Sequence, residues 1–466
     1  MPPFLGKCLL TKALAEVANS ILSRLNGETG RALIRTFLAK GVSAFGALGL
    51  VVIVGQLYGP KGVGVYALAQ SILLGSGILA RRGMDNALLR FIGRDFQSPL
   101  VRCYLNLAGF RSLWVSIPLS LVVFLSRDDI ELFFAMPGLS SMLLGISLAI
   151  PFYTWSFLLS GFFKGIRKPA TAGFQENGAI ALVAGTLLLL LNALSEAGPP
   201  DLYQLGWVYL FAAIVIAAQG HVIALSWLGH NASVERSSKI GLENLAEFRG
   251  ASLSFFIMGM AGFMQTALSI MIAGKFLGSA ELGLFKSSQQ IAVSVAFVLL
   301  VINAIFPPRF AALYHQGKTA ELGATARRAA LLGLGLSAPF LVACLLAPEW
   351  ILRFLGEGFD PAANLLRILA LAQLVNVATG SVGFLLNMTG HDRIMRNIAL
   401  FSNGAGLLGF FVLSSWLGAL GAALALAFVL VAQNLGAMVA VWLKLGIWTM
   451  PGPNVLSLMG VRPHGG

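Results

Sequence analysis

Long apolar runs separated by short polar segments fill the chain from residue 33 to residue 443. A helix needs about 20 mostly apolar residues to cross the hydrocarbon of a bilayer, and twelve segments meet this requirement. The predicted spans are 33–57, 62–80, 104–125, 139–163, 173–192, 204–229, 251–274, 283–306, 327–347, 362–387, 394–415 and 418–443. The stretch from Asn397 to Leu443 carries no charge and is too long for one helix, so we expect a turn at Gly418.

A short phrase occurs once in each half of the chain. "YGPKGVGVYALAQSI" (58–72) is matched without a gap by "LGSAELGLFKSSQQI" (277–291), so that Gly64 corresponds to Gly283. Six predicted spans lie in each half, and an even number places both halves in the membrane the same way up. Such repeats are related by an axis along the membrane normal, and substrate sites lie at their interface. The sequence therefore predicts an all-α integral membrane protein of about twelve transmembrane helices in two pseudo-symmetric six-helix bundles.

The same pattern divides the chain into five segments. We predict a cytoplasmic amphipathic N-terminal segment (1–32), an N-lobe (33–229), a cytoplasmic inter-lobe linker (230–250), a C-lobe (251–445) and a cytoplasmic C-terminal tail (446–466). Charged residues such as Lys7 and Lys12 interrupt the first segment, and no cleavage site follows it. We therefore expect an interfacial helix there, and no removable signal peptide.

Composition and charge agree with a membrane protein. The chain is 57% hydrophobic and 11% charged, against about 45–50% and 25% in soluble domains. With the N-terminus in the cytoplasm, 23 of the 32 Lys and Arg residues fall in inner segments and four in outer loops. Because positive residues concentrate on the cytoplasmic side of membrane proteins, the net charge of +13 is not evidence for a nucleic-acid partner. We predict a multi-pass protein of the inner (plasma) membrane with both termini cytoplasmic.

The sequence contains no pattern typical of catalysis. Its five His and three Cys residues are scattered, and neither an HExxH motif nor a phosphate-binding loop is present. Zinc enzymes and ATPases need those arrangements. We therefore predict no catalytic residue, no metal and no cofactor.

Three stretches resemble a known family. They are "YGPKGVGVYALAQSI", "GFFKGIRKPATAGFQENG" (161–178) and "ILRFLGEGFDPAANLLRILALAQLVNVATGSVGFLLNMTGH" (351–391). Together they resemble the polysaccharide flippases of the multidrug/oligosaccharidyl-lipid/polysaccharide (MOP) exporter superfamily, over about residues 30–445. The resemblance implies a V-shaped, two-lobed transporter that moves a lipid-linked oligosaccharide outward by alternating access. Some members have fourteen spans, whereas twelve are predicted here.

Cations inside the predicted spans are the candidate binding residues. A basic side chain at the bilayer centre costs about 2.5–3.5 kcal/mol on insertion scales, so it usually faces protein or water. Lys40 and Arg111 lie about 10 Å inside the predicted cytoplasmic edge at 1.5 Å per residue, and we expect both to line a central cavity. The alternatives are a structural ion pair or snorkelling to the interface. The other candidates are Arg35, which is shallower and which snorkelling explains better, and Lys286 and Arg367, near the outer edge of the C-lobe.

A pyrophosphate is the natural ligand for such cations, since arginine offers a forked donor and lysine a point charge. The N-lobe cations lie toward the cytoplasm and the C-lobe cations toward the outside, so an anionic headgroup could meet one set on entry and the other on exit. Gln290, Gln373 and Asn376 are candidate supporting groups at helical spacing. Polar and small residues in such a stripe also form ordinary helix-packing seams.

Three functions are compatible with the sequence. The first is a flippase for a polyprenyl-pyrophosphate-linked oligosaccharide, with membrane lipids and a polysaccharide polymerase as further partners, acting as a monomer. The second is a cation-coupled multidrug antiporter, which usually needs an intramembrane carboxylate; the N-lobe offers Glu176 alone. The third is a membrane glycosyltransferase or polysaccharide polymerase, for which the pair Asp128–Asp129 is the sole acidic candidate.

Overall fold

The computed structural model describes residues 28–195, 201–231 and 242–452. Within these ranges the chain is helical, without strands. The eighteen α-helices are α1 (Glu28–Arg81), α2 (Met84–Arg94), α3 (Leu100–Leu125), α4 (Arg127–Phe134), α5 (Leu139–Gly165), α6 (Pro169–Gly173), α7 (Asn177–Leu194), α8 (Leu202–Asn231), α9 (Leu242–Phe263), α10 (Ser269–Phe276), α11 (Ser279–Val295), α12 (Phe297–Ile305), α13 (Pro307–His315), α14 (Thr319–Leu346), α15 (Pro348–Leu352), α16 (Ala363–Thr379), α17 (Val382–Met388) and α18 (Asp392–Leu445). A π-helical segment, Met264–Leu268, joins α9 to α10. Most of the predicted segment 1–32, residues 232–241 of the predicted linker and the end of the tail lie outside the described residues.

Nine helical stretches of the described chain are long and apolar enough to cross a membrane, and the predicted all-α membrane architecture is confirmed. Two of these stretches contain a sharp break at a glycine with positive φ, Gly59 (φ 65°) in α1 and Gly418 (φ 59°) in α18. Glycine adopts such angles without steric cost. Both breaks fall where the apolar pattern predicts a turn between two spans. The predicted number of twelve is compatible with this arrangement and stays a prediction.

The two copies of the repeated phrase pack against each other. A Cβ atom at Gly64 would collide with the backbone carbonyl of Ser279, and one at Gly283 would collide with the carbonyl of Pro60. Ser279 is the repeat equivalent of Pro60, as Gly283 is of Gly64. The contact is therefore reciprocal, like the interface of a twofold-symmetric dimer. We call it the glycine contact; it holds α1 of the first half against α11 of the second.

Helix α9 begins earlier than the predicted seventh span, and its first turns pack on the N-lobe. Phe248 is fully buried, with its ring 5.3 Å from that of Phe91 and stacked at 5.3 Å on Tyr104. Arg94 and Glu247 form an ion pair of 2.9 Å beside them. The predicted boundary between linker and C-lobe at residue 250 thus falls inside a continuous helix whose first half contacts the other lobe.

Candidate functional site

A left-handed turn brings the first candidate side chain into position. Arg82 (φ 51°) and Gly83 (φ 74°) separate α1 from α2. A non-glycine residue at positive φ is uncommon and costs conformational energy, which the surrounding contacts must offset. Here the hydroxyl of Ser252 in α9 donates to the carbonyl oxygen of Arg82 at 2.7 Å. The turn and α9 therefore fix each other.

Three arginines from three helical regions line one cavity beside this turn. Arg82 comes from the turn, Arg111 from α3 and Arg249 from α9, and the cavity measures about 440 Å³. This volume lies in the range of about 300–1,000 Å³ that is typical of small-molecule sites. The remaining lining residues are Phe110, Trp114 and Val115. We call this the arginine cavity.

The arginine cavity is strongly positive and contains no acidic lining residue. None of its three guanidinium groups forms an ion pair with a residue of the described ranges. Like charges that share a site repel each other, and an anion that bridges them removes that cost. Arginine also presents parallel N–H donors that match phosphate and carboxylate oxygens. The arrangement can therefore hold an anion with several oxygens.

An apolar wall adjoins the three charges. The rings of Phe110 and Trp114 meet edge to face at 6.0 Å, and 64% and 67% of these two residues is exposed. Large aromatic side chains left open beside cations suit a ligand that carries both an anionic group and an apolar chain. The site is thus amphipathic as well as basic.

The predicted site residues are distributed over several places. Arg111 lies in the arginine cavity. Arg35 and Lys40 lie in α1, but their side chains are outside the described part of the structure. Lys286 and Gln290 lie half-buried on α11, away from the arginine cavity.

Arg367 is engaged in a structural network at one end of α16. Its guanidinium donates to the Glu349 carboxylate at 2.9 Å, to the Asn364 side chain at 3.0 Å and to the Leu345 carbonyl at 3.3 Å. The backbone N–H of Glu349 donates a hydrogen bond to the Glu349 carboxylate and lowers its pKa, and the positive charge of Arg367 lowers this pKa further. Arg367 therefore has a partner for its charge inside the protein, which Arg111 lacks among the described residues.

A second cavity of about 240 Å³ lies within the second half. Gln373 lines it and accepts a hydrogen bond of 2.8 Å from Asn376, so two of the predicted supporting residues lie together. Its other polar lining residues are Gln265, Thr266 and Gln289, and the rest are Ala292, Val293, Leu369, Leu426 and Leu430. We call it the amide cavity. Neither Lys286 nor Gln290 lines it.

The depth criterion applied to the sequence misses Arg82 and Arg249. Both residues flank predicted spans, so the charge count places them with the inner segments. The sequence signal that could find Arg249 is the amphipathic stretch before residue 251, which predicts that α9 begins earlier than the apolar span. Glu176, the lone carboxylate of the antiporter hypothesis, is paired with Lys164 at 2.9 Å.

Sequence comparison identifies the family. A model described as "Polysaccharide biosynthesis protein" matches residues 53–364, about two thirds of the chain. The chain belongs to the polysaccharide biosynthesis protein family. No curated protein sequence matches it significantly.

Solved structures show which fold this member of the polysaccharide biosynthesis protein family has. The lipid II flippase MurJ, in an inward closed conformation, is similar with a TM-score of 0.67 at 12% identity, over 88% of this chain and 86% of MurJ. An inward-facing MATE family multidrug transporter of the MOP superfamily follows at 0.61 and 14%, over 87% and 96%. The MATE transporter DinF-BH, bound to R6G, is similar at 0.56 and 17%, over 88% and 94%. The resemblance expected from the sequence is thus confirmed in two respects: the chain belongs to a polysaccharide biosynthesis family, and its fold is that of MurJ and of a MATE transporter of the MOP superfamily.

Proposed function

We propose that this membrane protein is a flippase for a polyprenyl-pyrophosphate-linked oligosaccharide, working by alternating access in the bacterial inner membrane. The transported saccharide would serve the biosynthesis of a surface polysaccharide such as O-antigen, capsule or exopolysaccharide. The single observation that carries the proposal is the arginine cavity, in which three guanidinium groups without an ion-pair partner in the described ranges stand beside an open aromatic wall.

In this proposal the pyrophosphate binds to Arg82, Arg111 and Arg249, and the first isoprene units contact Phe110 and Trp114. The predicted orientation places this cavity toward the cytoplasm, where such lipid-linked intermediates are assembled and must be loaded. Lys40 is proposed to add a deeper cation on the same route, and Arg35 a shallower one. Lys286 is proposed to receive the headgroup in the second half.

A specific comparison separates this function from drug export. A pump for organic cations needs negative charge where its substrate binds, whereas the arginine cavity has three positive groups and no acid. The carboxylate of Glu176 is already paired with Lys164 and accepts a hydrogen bond from Ser160 at 3.3 Å. The likeness to MATE transporters supports the alternating-access fold and gives no argument for a cationic drug.

The test is complementation of a strain that lacks the gene, with Arg111→Ala in the full-length protein. We expect surface polysaccharide to fall and lipid-linked saccharide to accumulate inside the cell, because the headgroup loses a charge-assisted contact worth about 1.5–3 kcal/mol. Arg102→Ala is the matched control, since Arg102 is an exposed arginine of the same helix that does not line the cavity. Equal export by the two variants contradicts the proposed site. Drug resistance conferred by the wild type, without polysaccharide, would favour the antiporter.

A further inference from the structure

The amide cavity has a chemistry opposite to that of the arginine cavity. Three of its nine lining residues are glutamines and one is a threonine, and none is ionisable. The five others are aliphatic. A cavity of this kind offers no positive charge to a pyrophosphate, but its amides both donate and accept hydrogen bonds.

One polar atom of this cavity is buried without a partner among the described residues. The side-chain oxygen of Gln289 is buried and accepts no hydrogen bond. A buried polar atom without a partner costs free energy and calls for an explanation, such as a ligand or water that completes it. Gln373 lines the same cavity and is 4% exposed; its oxygen accepts a hydrogen bond from Asn376, and its amide group can also donate.

The repeat provides an internal comparison for Gln289. Its equivalent in the first half is Gln70, which is 7% exposed and lies within hydrogen-bonding reach of the Tyr209 hydroxyl. In that half a tyrosine hydroxyl lies beside the glutamine amide. In the second half the same position lines a cavity, and its oxygen has no partner among the described residues. The two copies of this glutamine therefore have different surroundings, and the second is placed to meet a ligand.

The backbone is irregular where it supplies the other two polar groups. Gln265 and Thr266 lie on the π-helical segment Met264–Leu268, which interrupts the apolar helix formed by α9 and α10. The Thr266 hydroxyl donates to the carbonyl of Gly262 at 2.7 Å, so its oxygen can still accept. Single π-helical turns inside α-helices are rare and are found frequently at functional sites.

We propose that the amide cavity binds a neutral sugar ring of the transported saccharide, through Gln265, Gln289 and Gln373. This inference rests on the proposed flippase function and names its second contact region. The hydroxyl groups of a sugar match the mixed donors and acceptors of the glutamine amides, and its C–H face matches Leu369, Leu426 and Leu430. At about 240 Å³ the cavity is smaller than the about 300–1,000 Å³ of drug-sized sites, which suits one ring of an oligosaccharide.

The experiment measures binding of two probes to the purified full-length protein. One probe is the glycosylated polyprenyl pyrophosphate that accumulates in the deletion strain, and the other is the same lipid pyrophosphate without sugar. In Gln289→Leu we expect affinity for the glycosylated probe to fall about two- to twelve-fold, the range for one neutral hydrogen bond. Affinity for the sugar-free probe stays at the wild-type level.

Gln433→Leu is the matched control, because the side-chain oxygen of Gln433 in α18 is likewise buried without a partner among the described residues, and Gln433 does not line the amide cavity. Gln373→Leu is the second variant, and the melting temperature of each protein is recorded so that a folding defect is recognised. If Gln289→Leu is poorly folded, Gln373→Leu decides the question by the same comparison of probes. The inference is overturned if a well-folded Gln289→Leu or Gln373→Leu protein binds the glycosylated probe as tightly as the wild type does. It is also overturned if these variants lose affinity equally for both probes.

Arg111→Ala separates this inference from the proposed function. If Arg111→Ala lowers the affinity for both probes while the glutamine variants lower it for neither, the flippase proposal stands and the sugar site is wrong. If the wild type binds neither probe, the proposed function fails first.

Discussion

Gln70 of the first half is buried with the Tyr209 hydroxyl beside it, whereas Gln289, its equivalent in the second half, lines the amide cavity. For the cations, the unpartnered group lies in the first half and the partnered group in the second. Arg111 of the first half has no acidic partner among the described residues, and Arg367 of the second half is held by Glu349. The two halves share the phrase that packs at the glycine contact, while polar groups are open at different places. The arginine cavity, which Arg249 of α9 completes, thus offers charge, and the amide cavity of the second half offers neutral hydrogen bonds.

The comparison depends on the two halves being held together, and Gly64→Leu should have the largest effect. The new side chain would strike the carbonyl of Ser279 at the glycine contact. Overpacking a tight contact costs about 1–3 kcal/mol and sometimes more, so we expect a lower melting temperature and loss of export. Gly278→Ala, in the same phrase but with open space around it, is the control. A wild-type melting temperature of Gly64→Leu would show that α1 and α11 can move apart at the glycine contact without loss of stability.

The charge of the first half can be examined with a conservative change. Arg111→Lys keeps the positive charge but loses the parallel donors that suit phosphate. We expect export between that of the wild type and that of Arg111→Ala, with about a ten-fold loss of affinity for a sugar-free polyprenyl pyrophosphate if one charge-assisted hydrogen bond is lost. Affinity equal to the wild type would mean that a point charge is sufficient at this position.

The ion pair of Arg367 with Glu349 in the second half predicts a small dependence of stability on pH. The pKa of Glu349 is lowered, so its ionised form is favoured by folding and stabilises the protein above the pKa of the unfolded chain. That contribution is lost as the pH falls through the lowered value, below the ordinary glutamate value of about 4.3. Glu349→Gln should therefore lower the melting temperature slightly at pH 7 and leave it unchanged in strong acid. Glu357→Gln, an exposed acid of the loop that follows α15, is the control.

The smallest effect is expected for the acidic pair of the first half. Asp128 accepts a hydrogen bond from the Ser140 hydroxyl and lies 3.6 Å from Arg127, so it stabilises the start of α4. Negative residues at a helix N-terminus are favourable there without any catalytic role. Changing Asp128 and Asp129 together to asparagine should leave polysaccharide export unchanged. Loss of polymer with normal protein levels would revive the enzyme hypothesis.

Much of the framework could be predicted from the sequence because lipid imposes strict rules on apolar length and charge. The breaks at Gly59 and Gly418 follow from those rules. The candidate site is harder to predict from the sequence. Depth within a predicted span selects Arg111 but excludes Arg82 and Arg249. Arg82 reaches the cavity from a left-handed turn, and Arg249 reaches it from the early turns of α9. The partner of Arg367 comes from another helix, Pro348–Leu352, and local spacing carries no information on such a pairing.

The glycine contact also says something about ancestry. Each half offers a glycine to the other's backbone at the equivalent carbonyl, of Pro60 in one direction and of Ser279 in the other. Two separate copies of a half-length chain would meet in just this way about a twofold axis. In a single polypeptide the other positions need not be identical, and the mutual fit of these two glycines is what a duplicated half-length chain would keep.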